Sequence, residues 1–326
     1  MPGMILRHEY RREGDVKRSL SLKGKRRGMD RGGWYWLFYL LPCLVVYVVF
    51  MAYPLIDSLR LSLYTGNNAK TRTFVGLENF VRLFTDPEES LRYWSAFGHT
   101  CYFFLIHMIC QNCIGIFFAV ILTNNTMKGR EFYQTIIFIP TTFAVLVTGY
   151  LWKLMLNPVW CGDVLEKAGL GFLSRAWLGD TKTALTCVSL VSCWQWMGIP
   201  TMMFVAALRN VPEDCLESAT IEGASSWQMF WRIKLPLIRP VVGMIAILTF
   251  VNNFNAFDIV FAMENANGAP SYSTDLIGTL FYRVGIAGQH PIGIPDTGMG
   301  AAIATITFFV LLIGVLPTLK ATQGRD

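Results

Sequence analysis

Val211-Pro-Glu-Asp-Cys-Leu-Glu-Ser-Ala-Thr-Ile-Glu-Gly-Ala-Ser-Ser-Trp-Gln-Met-Phe-Trp-Arg-Ile-Lys-Leu-Pro-Leu-Ile-Arg-Pro240 is a polar and amphipathic insert between two stretches that carry almost no charge. Pro212 fits the start of a helix, where its absent N–H is no loss, and Glu213 and Asp214 suit the positive end of the helix dipole. A short helix is expected over Pro212 to Ile221. Gly223 then permits a turn that most residues cannot make, and Ser225 can cap a second helix through Trp227, Phe230 and Ile233. Pro236 and Pro240 are expected to stop that helix and start the next apolar block. Two short helices at an angle would present Glu217, Phe230, Trp231 and Ile233 as a protruding elbow. Its acidic and apolar faces either receive a partner protein or lie as an amphipathic hairpin on a membrane surface.

Outward from this insert the chain is dominated by apolar blocks. Of 326 residues, 53% are hydrophobic and only 15% charged, against about a quarter charged in a soluble domain. Mean hydropathy is +0.41. A bilayer core about 30 Å thick needs roughly 20 apolar residues of helix. Six blocks meet that length: Trp36 to Ile56, Cys101 to Leu122, Ile136 to Leu156, Ala184 to Ala206, Val241 to Met263 and Met299 to Pro317. The expected fold class is therefore an all-α polytopic membrane protein with about six transmembrane helices. Gly and Pro recur inside the blocks, as in Phe138-Ile-Pro140 and Gly198-Ile-Pro200, and broken spans of this kind are common in transporters.

The net charge of +6 is no signature of nucleic-acid binding, because 10 of the 28 Lys and Arg fall between Arg7 and Arg31 with no aromatic platform among them. Residues 1–33 read as a basic cytoplasmic arm, 34–320 as the transmembrane body containing the loop 208–240, and 321–326 as a short cytoplasmic tail. With the N-terminus inside, 18 of the 28 cationic residues lie on the cytoplasmic side, which supports both termini being cytoplasmic. The first block exceeds a typical signal-peptide core, so it is expected to remain in the mature protein. Most of the eight cysteines lie in or beside apolar blocks, where they act as small hydrophobes. Cys110-Gln-Asn-Cys113 has the spacing of a redox or metal pair, but no second pair or His cluster adjoins it to complete a site.

The run Glu217-Ser218-Ala219, three residues, Gly223, nine residues, Ile233-Lys-Leu235-Pro236 closely resembles the EAA loop of ABC importer permeases. Ser218 for Ala and Glu222 for Asp are the departures. Phe74-Val-Gly-Leu-Glu-Asn-Phe80 and Asn253-Phe-Asn-Ala-Phe-Asp258 extend the resemblance to MalF-like or UgpA-like carbohydrate permeases over nearly the whole chain beyond the arm. The resemblance implies a type I ABC importer permease fold with a cytoplasmic coupling helix in a bacterial inner membrane. It implies that Glu217, Ser218, Ala219, Gly223, Ala224, Ile233, Leu235 and Pro236 couple to an ATPase, with Glu217 meeting a basic residue there. It further implies a second permease, giving a heterodimer, two cytoplasmic ATPase subunits and an extracytoplasmic solute-binding protein. No phosphate-binding GxxxxGK[ST] pattern occurs, so this chain is expected to bind no cofactor and to be no enzyme, with ATP and Mg handled by the ATPase. An ATP-independent secondary transporter or channel is the alternative, and a membrane thiol enzyme using Cys110 and Cys113 a third reading.

Polar residues inside spans are costly and mark a pathway, or else tie helices together. Thr249, Asn252, Asn253 and Ala256 share one helical face, and Ser192, Gln195 and Trp196 pair a ring with hydrogen-bonding groups, a combination suited to sugars. The resemblance implies a substrate pathway at Ser192, Gln195, Trp196, Ile199, Thr249, Asn252, Asn253 and Ala256. Ala256 and Trp196 depart from the maltose permease, which points to a carbohydrate other than maltose, an oligosaccharide or an acidic glycan. The bland reading makes Asn252 and Asn253 interhelical hydrogen-bond partners, Asp258 a boundary or loop-facing charge and Lys153 a snorkelling one.

Overall fold

A computed structural model describes residues 35–66, 71–124, 127–171, 174–288 and 293–323. The basic arm of residues 1–33 and residues 324–326 of the tail lie outside that range. Residues 1–57 and 58–326 form two compact units. The first holds most of helix α1 (Phe38–Leu61), long and apolar enough to cross a membrane, with Phe38, Phe50 and Tyr53 among its exposed side chains.

The second unit begins with a small hairpin, β1 (Tyr64–Thr65) against β2 (Thr73–Phe74), and a short helix α2 (Glu78–Thr85). Helix α3 (Pro87–Leu122) follows, 36 residues long. Then come α4 (Arg130–Thr142), α5 (Val145–Met155), α6 (Pro158–Lys167), α7 (Ala184–Trp196) and α8 (Gly198–Arg209). The elbow is α9 (Glu213–Ile221) and α10 (Ser226–Leu237), and α11 (Arg239–Phe254), α12 (Asp258–Glu264), α13 (Ile277–Ala287) and α14 (Thr297–Gln323) complete the chain.

By length and composition there are up to six spans when each bent pair counts as one: α1, α3 and α14 are continuous, while α4 and α5, α7 and α8, and α10 and α11 meet at 95°, 45° and 70°. The boundaries differ from the apolar blocks in three places. The second span starts at Pro87, not Cys101, because Asp86 caps it by accepting from Glu88 N and Glu89 N, and Pro87 pre-sets its first turn. Those N–H groups, Glu89's foremost, hold the Asp86 carboxyl below the usual carboxylate range.

The third block is not one straight helix. Around Pro140 the chain tightens into a 3₁₀ turn, the hydroxyls of Thr141 and Thr142 bond back to Phe138 O and Ile139 O, and Phe143 and Ala144 turn extended. The fifth block divides as well: α11 ends at Phe254, Asn255 Nδ2 donates to Val251 O, and α12 starts afresh at Asp258. The last helix, in contrast, runs on through Pro317.

Three apolar clusters hold this unit together. One joins Leu83, Tyr93, Phe254, Leu280, Met299 and Ile303, and a second joins Phe103, Val188, Val260, Met263 and Leu276. The third, of Ala119, Leu122, Phe204, Leu208, Ile238 and Ile245, lies beneath the elbow and receives Leu216 and Leu235 from it. Small residues allow the tightest approach: a Cβ on Gly300 of α14 would stand 2.6 Å from Gly285 Cα of α13. Within α13, Arg283 is fully buried, donating to Ala266 O and to Asp275 of the α12–α13 loop, and its guanidinium faces the Tyr272 ring 4.9 Å away. Arg92 approaches the same ring at 4.9 Å, tying the start of α3 to this loop.

Candidate functional site

The elbow follows from local rules. α9 ends when Gly223 takes φ +79°, a left-handed conformation that costs other residues roughly 1–2 kcal/mol. Gly223 N donates to Thr220 O at 3.0 Å and Ala224 N to Ala219 O at 2.9 Å, the paired bonds of a Schellman motif. Ala219 is buried and Ala224 half-buried, so small side chains at both positions let the chain fold back. Ser225 then caps α10 with a complete capping box: Gln228 N donates to Ser225 Oγ, and Ser225 N to Gln228 Oε1.

One expectation shifts here. Pro236 does not stop the helix; α10 passes through it, after a π-helical turn over Phe230–Lys234, and breaks at Ile238 instead. The wider turn accommodates a residue with no N–H to donate. Pro240 does open α11. Leu216 and Leu235 anchor the elbow, Ile233 is half-buried, and Glu217, Ser218, Pro236, Trp227 and Ile221, the last 87% exposed, face outward. A side chain added at Gly223 would meet nothing within 4 Å.

The second feature is a cavity of about 420 Å³ enclosed by α3, α5, α7, α8 and α11 with the α11–α12 link. Seven of the eight expected pathway residues line it: Ser192, Trp196, Ile199, Thr249, Asn252, Asn253 and Ala256. Gln195 lies behind the wall, fully buried, where its Nε2 donates to Phe143 O at 3.0 Å and braces the α4–α5 bend. Adjacent helical positions are 100° apart, and that rotation turns Gln195 toward Phe143 while Trp196 faces the cavity.

The cavity also collects residues that the sequence reading did not single out. His107 and Gln111 belong to a π-helical turn, His107–Gln111, within α3. His107 donates from Nδ1 to Phe103 O at 2.8 Å, leaving Nε2 facing Ser192 Oγ at 3.0 Å. Gln111 Nε2 donates to Trp196 O at 3.2 Å, and Asn112 Nδ2 to Thr249 Oγ1 at 3.2 Å. These three contacts cross between helices.

Neither candidate asparagine ties two helices among the described residues. Asn253 Nδ2 donates within its own helix, to Thr249 O at 2.6 Å, whereas Asn252 is exposed to the cavity with no hydrogen bond among the described residues. Asp258, expected at a boundary, lines the cavity too. Cys110 and Cys113 are unpaired thiols, and no group of three His, Cys, Asp or Glu suited to a metal ion occurs among the described residues.

Residues 111–320 match the family described as the binding-protein-dependent transport system inner membrane component. The chain belongs to this family. The matched range contains the elbow and most of the cavity wall, though not Phe103 or His107. This inner membrane component is 27% identical over 302 residues to a probable starch degradation products transport permease of Thermoanaerobacterium thermosulfurigenes, covering 93% of this chain and 98% of that one. It is 27% identical over 308 residues to a lactose transport permease of Rhizobium radiobacter, covering 94% and 98%. In fold it is similar to a chain of a bacterial ABC transporter involved in import of the acidic polysaccharide alginate, with a TM-score of 0.73, 22% identity and coverage of 89% and 96%. As an inner membrane component it is a transport subunit, and its bent spans form an ABC importer permease fold.

Proposed function

We propose that this chain is the translocation subunit of an ATP-driven importer for a carbohydrate. It pairs with a second, homologous permease. Two cytoplasmic ATPase subunits dock on the elbows, and an extracytoplasmic binding protein delivers the sugar. The sugar class is supported by the named substrates of the relatives and by a cavity that combines the Trp196 ring with the amide of Asn252, since a ring covers a sugar's apolar face while amides meet its hydroxyls. Both termini are cytoplasmic, in keeping with the distribution of Lys and Arg.

The observation that carries the coupling role is the elbow itself. A capped, Schellman-closed pair of helices exposes Glu217, Ile221 and Trp227, and it is seated by Leu216 and Leu235 on the cluster shared by α3, α8 and α11. Displacement of the elbow therefore reaches three helices at once, and all three also line the cavity.

The test separates turn geometry from docking. Gly223→Asn, which tolerates the left-handed conformation, changes the surface by one short side chain, and Gly223→Val opposes that conformation. In vesicles holding the transporter with its ATPase and binding protein, Gly223→Val is expected to lower ATP-driven uptake by tenfold or more with membrane insertion intact, and Gly223→Asn to retain measurable uptake. Undiminished uptake in Gly223→Val would remove the elbow from the mechanism.

A further inference from the structure

The fold does not decide the charge of the cargo, because an importer of an acidic polysaccharide shares it. The cavity wall is more informative. Among its described residues no Lys or Arg occurs, and the ionisable groups are His107 and Asp258. His107 is buried and both of its ring nitrogens are engaged, by Phe103 O and Ser192 Oγ, so it offers a glycan no free donor. Asp258 differs. It is exposed, stands at the start of α12, and makes no hydrogen bond or ion pair among the described residues. Its charge therefore faces the cavity without a cation beside it.

Resting on the carbohydrate reading above, we infer that Asp258 is a specificity-determining residue that makes the cavity select uncharged glycans and reject those bearing uronate carboxylates. A carboxylate leaving water is best compensated by a paired cation, and this wall supplies none among its described residues, only neutral amide and indole donors. Instead it would meet a like charge across a few ångströms, at an effective dielectric of about 20, which corresponds to a loss of roughly tenfold to a hundredfold in affinity. An uncharged sugar ring meets no such penalty. It can rest on Trp196 while Asn252 and the Asp258 carboxylate accept and donate around its hydroxyl rim, the carboxylate as acceptor only.

The competing role for Asp258 is structural, since an acidic residue in the first turn of α12 favours the helix dipole. That role predicts a stability change and no change in preference for ligand charge. The two separate in a direct binding experiment on the detergent-purified transporter without binding protein. Ligand-observed NMR would titrate tetragalacturonate, its full methyl ester, alginate tetrasaccharide, maltotetraose, cellotetraose and xylotetraose. The wild type is expected to bind the methyl ester or another neutral tetrasaccharide at least tenfold more tightly than either uronate. Asp258→Asn should narrow that gap by tenfold and Asp258→Glu should restore it. A uronate bound as well as the neutral glycans by wild type, or a gap that Asp258→Asn leaves in place, overturns the inference while leaving the carbohydrate reading intact. Binding of none of the six overturns that reading and the inference with it.

Discussion

The elbow closes over residues 211–240 with bonds that span three to five positions, whereas the cavity gathers side chains from Phe103 to Ile259 and depends on contacts such as His107 to Ser192 and Asn112 to Thr249. Both are built from a few hydrogen bonds and a small apolar seat. The difference lies in what sets their geometry: backbone chemistry at Gly223 and Ser225 in one, the meeting of distant helix faces in the other. The elbow should therefore keep its shape when the transmembrane body is perturbed, and the cavity should not survive loss of a single cross-helix tie.

The largest effect is expected from His107→Ala. It strands Ser192 Oγ and frees Phe103 O inside a buried wall, a loss of about 2–3 kcal/mol for the contacts together. A thermal melt in detergent should fall, uptake should fall with it, and amide hydrogen exchange over α9 and α10 should stay unchanged. Faster exchange in the elbow would erase the contrast. Next in size is Ser225→Ala, which removes the capping oxygen at a cost of about 1 kcal/mol and should raise exchange at Gln228 and Met229 while sugar affinity is preserved. The smallest change in stability belongs to Asn252→Ala. Having no hydrogen bond to lose among the described residues, it should alter the melt by less than about 0.5 kcal/mol, yet raise the KM for uptake several-fold. A variant with unaltered KM would show that this amide faces the cavity without meeting the cargo.

The same division explains what could be read from the chain. Apolar length gave the number of spans, and the 217–236 spacing gave the elbow, including the left-handed turn at Gly223 and the cap at Ser225. Seven cavity residues followed from resemblance and helical periodicity. His107 and Gln111 escaped because a π-helical turn inserts a residue and rotates all that follows by about 100°, so face-counting along α3 fails there. Gln195 was misplaced for a related reason: its polar group is used at Phe143 O, on a bend whose 95° angle has no signal beyond Pro140 and two threonines. The early start of α3 was legible, since Asp86-Pro87 is a helix-opening pair, but the charged Glu88, Glu89 and Arg92 hid it from a hydropathy scan. Asp258 was read as a boundary charge because hydropathy cannot tell which side of a wall a helix start occupies.

At 1.5 Å per residue, the 36 residues of α3 make a rod of roughly 54 Å, well beyond the thickness of the hydrocarbon layer. One end, at Ala119 and Leu122, is gripped by the cluster under the elbow, and the other, at Arg92, presses on Tyr272. Such a beam has leverage: a bend of about 5° at a joint near its middle moves either tip by roughly 2–3 Å. Its single non-α joint, at His107–Gln111, borders the cavity. The fulcrum of the longest lever in the molecule thus lies beside the chamber whose opening it would have to govern.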